Sequence, residues 1–420
     1  MYLTVIYGDV GFLKSFNATL AGWSIWAWVM VLLGYSYVAS VLPVWTLLQP
    51  RDYINSLQLI SALALILLGL GAAAFVGYQP EGANATQPLE FVAPAFQWNP
   101  EGAPMIFPFL FITIACGAIS GFHCLVSSGT SSKQLKNEPD ARFVGYGGML
   151  TEGFLATLVI IACGAGLGLG LMKEGSLLTG EAAWQAQYSS WAAAGSLSAK
   201  VGAFVDGAAN FLKALGLPAG VSIALMGVLV ASFAGTTLDT ACRLQRYVIQ
   251  ELAATLGGKV GEGETAPAVP FAMLQNKHGA TIFAVVIATA MAAIPPGGAE
   301  WNWANAGKGG LILWPLFGAT NQLLAGLSFL VITFYLWRRG RAIWFLAIPM
   351  VFMLIMPIWA MTHQLFFAPG WLVTDEPNWL LGSIGLATIA LEIWMIVEAV
   401  KLFPKAKGVL EENALDRQPA

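Results

Sequence analysis

Long runs of hydrophobic residues alternate with shorter polar segments along most of the chain. A transmembrane helix needs about 20 consecutive, mostly apolar residues, with a range of about 17–25. Nine runs reach that length, at residues 22–43, 57–76, 108–127, 149–172, 217–238, 277–294, 309–336, 343–362 and 378–401. The pattern predicts an all-α, polytopic transmembrane helical bundle of about nine spans, in which residues 1–420 form a single transmembrane domain.

The composition supports a membrane protein and narrows its partners. Hydrophobic residues make up 57% of the chain and charged residues 10%, with a mean hydropathy of +0.69. Soluble domains carry about 25% charged residues, so membrane lipid is the expected environment of much of the surface. The net charge of −3 shows no excess of basic residues of the kind that binds nucleic acid. We therefore expect no nucleic-acid partner.

Catalytic and metal-binding patterns are missing from the sequence. The four cysteines lie in or at the ends of apolar runs and have no metal-ligand spacing. The sequence also contains no catalytic triad, phosphate-binding loop or zinc motif. We therefore expect no catalytic residues, no metal site and no cofactor, and an enzyme is not the predicted function.

Basic residues are concentrated in every second connecting segment. The segments that begin at residues 44, 128, 239 and 337, together with the tail from 401, hold fourteen: Arg51, Lys133, Lys136, Arg142, Arg243, Arg246, Lys259, Arg338, Arg339, Arg341, Lys401, Lys405, Lys407 and Arg417. The alternate segments hold Lys14, Lys173, Lys200, Lys213 and Lys308. Because cytoplasmic loops are enriched in Lys and Arg, this distribution predicts the orientation of a multi-pass membrane protein. Its N-terminus would lie outside, and its tail at 402–420 would be cytoplasmic.

Two connecting segments are predicted to contain helices of their own. The outer segment 173–216 predicts a surface helix at about 198–215. On the inner side, residues 239–256 are predicted to extend a spanning helix as an amphipathic helix, with Asp239 and Arg243 forming a favourable i,i+4 pair. A flexible linker at 257–267 is expected to follow.

Three apolar runs are interrupted by small and polar residues. In the first, at 107–123, Gly117 and Gly121 are four apart, and Ser120 and His123 lie close together along the helix axis. Such a composition favours an unwound helix, whose freed backbone groups must be satisfied internally or by a ligand, as in transporters. The alternative is a close-packed helix interface of the small-xxx-small type. The candidate substrate-binding residues here are Ala115, Gly117, Ser120, Gly121 and His123.

The second interruption, at 232–240, combines hydroxyl groups with a carboxylate. Oxygen atoms of this kind suit a hard cation or a proton relay. The candidate ion-coupling residues are Thr236, Thr237, Asp239 and Thr240. The alternative is a polar helix end whose hydroxyls bond nearby backbone carbonyls, which is common in membrane helices.

The third interruption, at 313–322, begins with a helix-breaking proline, Pro315. Polar amides in the middle of a membrane are costly unless they bond to another helix, a water or a ligand. Thr320, Asn321 and Gln322 are therefore further candidate substrate-binding residues, with hydrogen bonding between helices as the structural alternative.

Seven stretches spread over most of the chain carry a family resemblance, at residues 35–45, 48–53, 107–123, 127–130, 145–152, 236–240 and 313–322. They resemble the carbon starvation protein CstA family of bacterial inner-membrane proteins. The resemblance implies a distant branch of the amino acid–polyamine–organocation transporters, with a LeuT-like inverted repeat. It also implies uptake of peptides or pyruvate, coupled to protons or another cation, as a response to carbon starvation.

One departure from the family pattern changes the expected architecture. The family's N-terminal region carries a Gly/Pro-rich segment that this chain lacks. In a LeuT-like scheme, runs 22–43 and 57–76 would be helices four and five, and runs 108–127 to 309–336 would form the complete second repeat. The resemblance therefore implies a partial inverted repeat without the first three helices, in the C-terminal part of a CstA-like protein.

The resulting expectation is a secondary transporter of pyruvate or small peptides. A membrane metabolite sensor or regulatory subunit, and a truncated transporter that does nothing alone, are the alternatives. LeuT-like packing further predicts that the cluster of Thr236, Thr237 and Asp239 faces the interrupted segment at 115–123 and forms the coupling-ion or proton site.

Overall fold

The computed structural model describes residues 2–98, 100–257, 269–295, 300–303, 305–367 and 370–409. Residues 258–267 of the expected linker and 410–420 of the expected tail lie outside the described residues, and so do Lys259 and Arg417. Within the described part, the chain contains fifteen α-helices and one short antiparallel hairpin.

Each predicted hydrophobic run overlaps at least one helix, although several helices extend beyond the predicted bounds. In chain order, the first eight are α1 (Tyr2–Ile6), α2 (Gly11–Ala21), α3 (Ile25–Val41), α4 (Leu48–Val76), α5 (Phe111–Ala118), α6 (Gly121–Val126), α7 (Asp140–Gly164) and α8 (Gly180–Gln187). The remaining seven are α9 (Leu197–Ala214), α10 (Ala219–Gly257), α11 (Val269–Gln275), α12 (Lys277–Ala293), α13 (Trp314–Arg338), α14 (Trp344–Phe366) and α15 (Trp379–Leu402). Strands β1 (Leu171–Lys173) and β2 (Ser176–Leu178) pair with Leu171 opposite Leu178.

Seven helical stretches of the described chain are long and apolar enough to cross a membrane. They are Leu48–Val76, Ile106–Gln134, Asp140–Leu169, Ala219–Gly257, Gly309–Arg338, Trp344–Phe366 and Trp379–Lys405. The protein is therefore an all-α, multi-pass membrane protein, as the sequence predicts.

The other two predicted spans also form helices, but each has only 17 residues. Run 22–43 contains α3, which makes an angle of 104° with α2, and the two together give an eighth candidate span if they form one broken crossing. Run 277–294 contains α12. Seventeen residues is the lower limit of the length that spans a bilayer, so the structure shows seven or eight candidate spans where the sequence predicts about nine.

The described chain divides into two compact units. The first comprises residues within Met1–Ala103 and Lys136–Thr289, and the second comprises residues within Pro104–Leu135 and Ala290–Ala420.

In the first unit, α9 packs against α4, α7 and α10. A Cβ atom at Gly69 of α4 would overlap the carbonyl oxygen of Phe211, and one at Gly207 would overlap that of Ala162 on α7. The expectation of a surface helix at 198–215 is thus right about the helix and wrong about its position. Its glycines and alanines let three neighbouring helices approach its backbone, which favours burial of the helix.

In the second unit, α13 packs against α5, α6 and α14, and α15 packs against α14. The apolar core formed there includes Ile112, Leu316, Met356, Met361 and Leu365. The predicted extension of a spanning helix at 239–256 lies in the first unit, where α10 continues without interruption for 39 residues.

Candidate substrate and coupling sites

The first predicted interruption is a true break in a spanning helix. Helix α5 ends at Ala118 and α6 begins at Gly121, and the two residues between them have non-helical backbone angles. Ile119 has φ −137° and ψ 70°, and Ser120 has φ −84° and ψ 135°. The prediction that this run departs from a regular helix is confirmed.

The break is closed by Asn321 of α13. Its Oδ1 atom accepts the backbone N–H of Phe122 at 2.9 Å, and its Nδ2 atom donates to Ser120 Oγ at 3.0 Å and to Cys116 Sγ at 3.3 Å. A continuous helix would direct the Phe122 N–H to the carbonyl of Ala118. Here Asn321 Oδ1 and, at 3.2 Å, the capping Ser120 Oγ accept that N–H instead. Asn321 is 3% exposed, and its polar group therefore bridges two helices inside the unit.

Gly121 allows α13 to lie this close to the break. A Cβ atom at that position would overlap the carbonyl oxygen of Asn321 and the Cβ of Leu324, and would lie 2.9 Å from the backbone nitrogen of Ala325. Gly117, four residues earlier, has open space at the same position. The two glycines of the pattern therefore differ, because only Gly121 is required by packing.

The remaining predicted substrate-binding residues differ in what surrounds them. Ala115 is buried in α5 and its carbonyl accepts the N–H of Ile119 at 2.7 Å, whereas His123 on α6 is exposed. Thr320 donates back to the carbonyl of Leu316, one turn earlier on α13, at 3.0 Å. Thr320 also lines a mostly apolar cavity of about 270 Å³ between α13 and α15.

Among the candidate substrate-binding residues, Gln322 is the one whose buried polar atoms lack hydrogen bonds to the described chain. It is 0% exposed, and neither its Oε1 nor its Nε2 atom has a hydrogen-bond partner among the described residues. A buried amide without partners costs about 1–3 kcal/mol. The buried Gln322 amide is therefore the candidate residue whose polar atoms most need a partner.

The second predicted cluster is organised around Asp239 of α10. Its carboxylate is 0% exposed, forms an ion pair with Arg51 of α4, and accepts a hydrogen bond from the Tyr35 hydroxyl of α3 at 2.9 Å. The expected i,i+4 partner, Arg243, instead donates to the carbonyl of Leu42 at 2.7 Å and to that of Ala39. The expected pairing of Asp239 with Arg243 is therefore replaced by a pairing across helices.

Of the three threonine hydroxyls in this cluster, one lies near the Asp239 carboxylate and two bond to the backbone. Thr236 and Thr237 donate to the carbonyl of Phe233 at 2.7 and 3.1 Å, which is the structural alternative that the sequence left open. The Thr240 hydroxyl lies 3.4 Å from Asp239 Oδ1. Asp239 and Thr240 are thus the only two of the four predicted residues that bond to each other in the described part of the chain.

Sequence reasoning missed two members of this cluster, Tyr35 and Arg51. Both lie in stretches that carried the family resemblance, at 35–45 and 48–53, and Asp239 lies in a third, at 236–240. Their presence in these three stretches was the signal in the sequence that could have identified Tyr35 and Arg51. The predicted proximity of Asp239 to the break at 115–123 relates residues of the two different units, and it stays a prediction.

Comparison with known proteins identifies the family of the chain. The family model described as "Carbon starvation protein CstA" matches residues 1–360. The chain belongs to the CstA family. No solved structure matches it.

Several curated proteins are similar to the chain. The peptide transporter CstA of Campylobacter jejuni is 32% identical over 383 residues, which are 84% of this chain and 51% of that protein. The pyruvate/proton symporter BtsT of Escherichia coli is 32% identical over 395 residues, 80% of this chain and 50% of that protein. The peptide transporter CstA of Mycobacterium tuberculosis is 31% identical over 412 residues, 88% of this chain and 50% of that protein. The chain spans about half the length of these relatives.

Proposed function

We propose that the protein is a secondary transporter of the bacterial inner membrane that takes up small peptides or pyruvate together with protons. The single observation that carries the proposal is the break between α5 and α6, because interrupted spanning helices are where transporters bind substrate. The names of the similar proteins, peptide transporter and pyruvate/proton symporter, support the same class of activity.

The substrate is proposed to bind at the break by exchanging hydrogen bonds with Asn321. In the structure Asn321 satisfies the Phe122 N–H and contacts Ser120. A carbonyl or carboxylate oxygen of a substrate could accept the same N–H bond, and the buried amide of Gln322 lies next in sequence on α13. Peptides and pyruvate both carry such oxygens, so the geometry is compatible with either.

Coupling to protons is proposed to use Asp239. While Asp239 is ionised, Arg51 and Tyr35 hold its carboxylate. Protonation would remove the negative charge and weaken the ion pair, which would release α10 from α3 and α4. A carboxylate buried in a spanning helix is a functional candidate by default, and the oxygens around it include the Thr240 hydroxyl.

The proposed orientation places the C-terminal tail in the cytoplasm. The supporting observation is the distribution of basic residues over alternate connecting segments. In this orientation, the segments around residues 77–107 and 170–218 lie on the outer side of the membrane.

Purified protein in liposomes provides the direct test. Uptake of labelled alanyl-alanine and of labelled pyruvate should rise when the outside is made acidic, and an uncoupler should abolish the increase. Protein-free liposomes are the control. Binding without flux would favour the sensor or regulatory subunit, whereas neither binding nor flux from a folded protein would favour a chain that is inactive alone.

A further inference from the structure

A cavity of about 490 Å³ lies within the second unit, between the second half of α13, the first half of α14 and the second half of α15. Every residue that lines it is apolar. Three of these residues, Val351, Ile355 and Val400, are 49%, 51% and 67% exposed, so the cavity opens on the outer surface of the helices. None of the candidate substrate or coupling residues lines it. The cavity is therefore an apolar groove on the lateral surface of α13, α14 and α15, separate from the sites described above.

The length of the groove matches one leaflet of a membrane. Its lining on the α14 side extends from Ile343 to Ile355, which at about 1.5 Å per residue is roughly 18 Å. The hydrocarbon core of a bilayer is about 30 Å thick, so one leaflet contributes about 15 Å. A hydrocarbon chain that enters the groove beside Ile343 can therefore stay in contact with it through the whole leaflet.

The end of the groove at Ile343 is bounded by a tight turn between α13 and α14. Gly340 has φ 63°, a conformation that favours glycine. Its N–H donates to the carbonyl of Trp337 at 3.0 Å, and the N–H of Arg341 donates to the carbonyl of Leu336 at 3.0 Å. These two bonds form the pattern with which a glycine commonly ends a helix. The turn therefore fixes the backbone of Arg341 two residues before Ile343, which lines the groove.

The turn that follows α15 bounds the same end of the groove, and Trp337 holds this turn against α13. The indole Nε1 of Trp337 donates to the carbonyl of Phe403 at 2.7 Å, and the two rings stack with their centroids 5.2 Å apart. Phe403 and Pro404 both line the groove. Lys405, the residue after Pro404, is therefore placed at the same end of the groove as Arg341.

This end of the groove carries a strong positive charge. Segments 335–343 and 398–409 together contain six basic residues and one acid, Glu398. Glu398 pairs with Lys401 at 3.1 Å, which leaves five positive charges in excess. Arg341 and Lys405 are both exposed. The six basic residues are Arg338, Arg339, Arg341, Lys401, Lys405 and Lys407.

We propose that the groove is a binding site for an anionic phospholipid, with one acyl chain along α14 and the phosphate group at Arg341 and Lys405. The apolar lining suits an acyl chain, because each methylene group that leaves water favours binding. The phosphate oxygens accept charge-assisted hydrogen bonds from guanidinium and ammonium groups. Basic pockets between spanning helices bind anionic lipid headgroups through the same combination.

A zwitterionic lipid or a second copy of the chain suits the groove less well. The headgroup of phosphatidylcholine carries a positive charge beside its phosphate, and the basic residues repel that charge. A second copy in the same orientation would bring a further basic cluster to the groove, and like charges at an interface are unfavourable. In the proposed orientation the basic residues lie on the cytoplasmic side, where membranes carry negatively charged lipid. Lipid binding is measured without flux, so its outcome is separate from that of the transport test.

Native mass spectrometry of the purified protein in detergent tests the site, with phosphatidylglycerol or phosphatidylcholine of the same acyl chains as the probe. The first phosphatidylglycerol should bind at least tenfold more tightly than the first phosphatidylcholine. Arg341→Gln/Lys405→Gln should weaken phosphatidylglycerol binding by about tenfold or more, because one basic residue near a membrane surface contributes about fivefold. It should leave phosphatidylcholine binding unchanged. Ala399→Phe adds a ring at a position that lines the groove, and it should weaken the binding of both lipids.

Matched variants separate these effects from a general loss of charge or structure. Lys136→Gln/Arg142→Gln removes two exposed basic residues from the first unit, and Ala390→Phe enlarges an exposed alanine of α15 outside the groove. Both should leave the affinities for the two lipids unchanged. Arg341→Lys/Lys405→Arg retains both positive charges and should retain the preference for phosphatidylglycerol.

Four results would overturn the proposal. Equal affinities for the two lipids would show that the basic residues do not select the headgroup. Phosphatidylglycerol binding that is unchanged in Arg341→Gln/Lys405→Gln would place the phosphate elsewhere. An effect of Ala399→Phe no larger than that of Ala390→Phe would place the acyl chain elsewhere. A dimer that persists in lipid and that Ala399→Phe abolishes would assign the groove to a second copy of the chain. Ala347→Phe fills the same groove from α14 and replaces Ala399→Phe if that variant does not fold.

Discussion

Arg51 at the start of α4 forms an ion pair with Asp239 in the middle of α10, and the Tyr35 hydroxyl of α3 bonds to the same carboxylate at 2.9 Å. Asp239 is 0% exposed and the Arg51 side chain is 17% exposed. The contact joins three helices of the first unit through one buried charge. We therefore expect the effects on stability of substituting Arg51 and Asp239 to depend on each other.

Removing Arg51 alone should therefore destabilise the protein more than removing both partners. Loss of Arg51 leaves the Asp239 charge buried without its ion partner, which costs about 3–5 kcal/mol. Loss of Asp239 costs less, because Arg51 is 17% exposed and still pairs with Asp52 at 2.7 Å. We expect Arg51→Gln and Asp239→Asn each to lower the thermal unfolding temperature in detergent, and the double variant to recover much of the loss. Lys401→Gln, which breaks the exposed pair with Glu398, should change it little. Additive effects of the two buried substitutions would contradict the coupling.

The two glycines of the broken helix provide a second, internally controlled prediction. Gly121→Ala adds a Cβ that overlaps the backbone of α13, whereas Gly117→Ala adds one in open space. Overpacking of this kind costs about 1–3 kcal/mol. We expect Gly121→Ala to lower both thermal stability and uptake, and Gly117→Ala to leave stability unchanged. Equal stability of the two variants would show that α13 does not lie against the break.

Gln322 offers a test that separates a structural from a functional residue. Replacing it with Leu removes two buried polar atoms that have no partners in the described part of the protein. Such a change is neutral or stabilising when the group has only a structural role. If Gln322 contacts substrate, Gln322→Leu should keep or raise the unfolding temperature while the KM for uptake rises about tenfold or more. An unchanged KM would remove Gln322 from the site.

The predicted topology can be checked with reporter fusions at Ala83 and Gly408. Ala83 lies in the segment between α4 and α5, and Gly408 follows α15. The distribution of basic residues predicts that Gly408 is cytoplasmic and that Ala83 is outside. An alkaline phosphatase fusion should be active only at Ala83, and a green fluorescent protein fusion only at Gly408. Reporters that place both positions on the same side would contradict this orientation.

The sequence predicts the helices and the break well, because both depend on local signals. A run of apolar residues identifies a span, and the small residues around Ser120 identify an interruption whatever packs against it. The partner of Asp239 was missed because Arg51 is 188 residues away, and a local pattern points instead to Arg243, four residues along the helix. The burial of α9 was missed for the same reason, since its neighbours α4, α7 and α10 come together only in the folded chain.

Liposome assays on two matched variants can show whether Asp239 couples transport to protons. Asp239→Asn and the charge-balanced double variant Arg51→Gln/Asp239→Asn should both still exchange labelled substrate across the membrane in the absence of a gradient. Neither should concentrate substrate when the outside is acidic, whereas the unmodified protein should. Accumulation at the normal rate by either variant would show that Asp239 does not couple transport to protons and would leave it as a structural partner of Arg51.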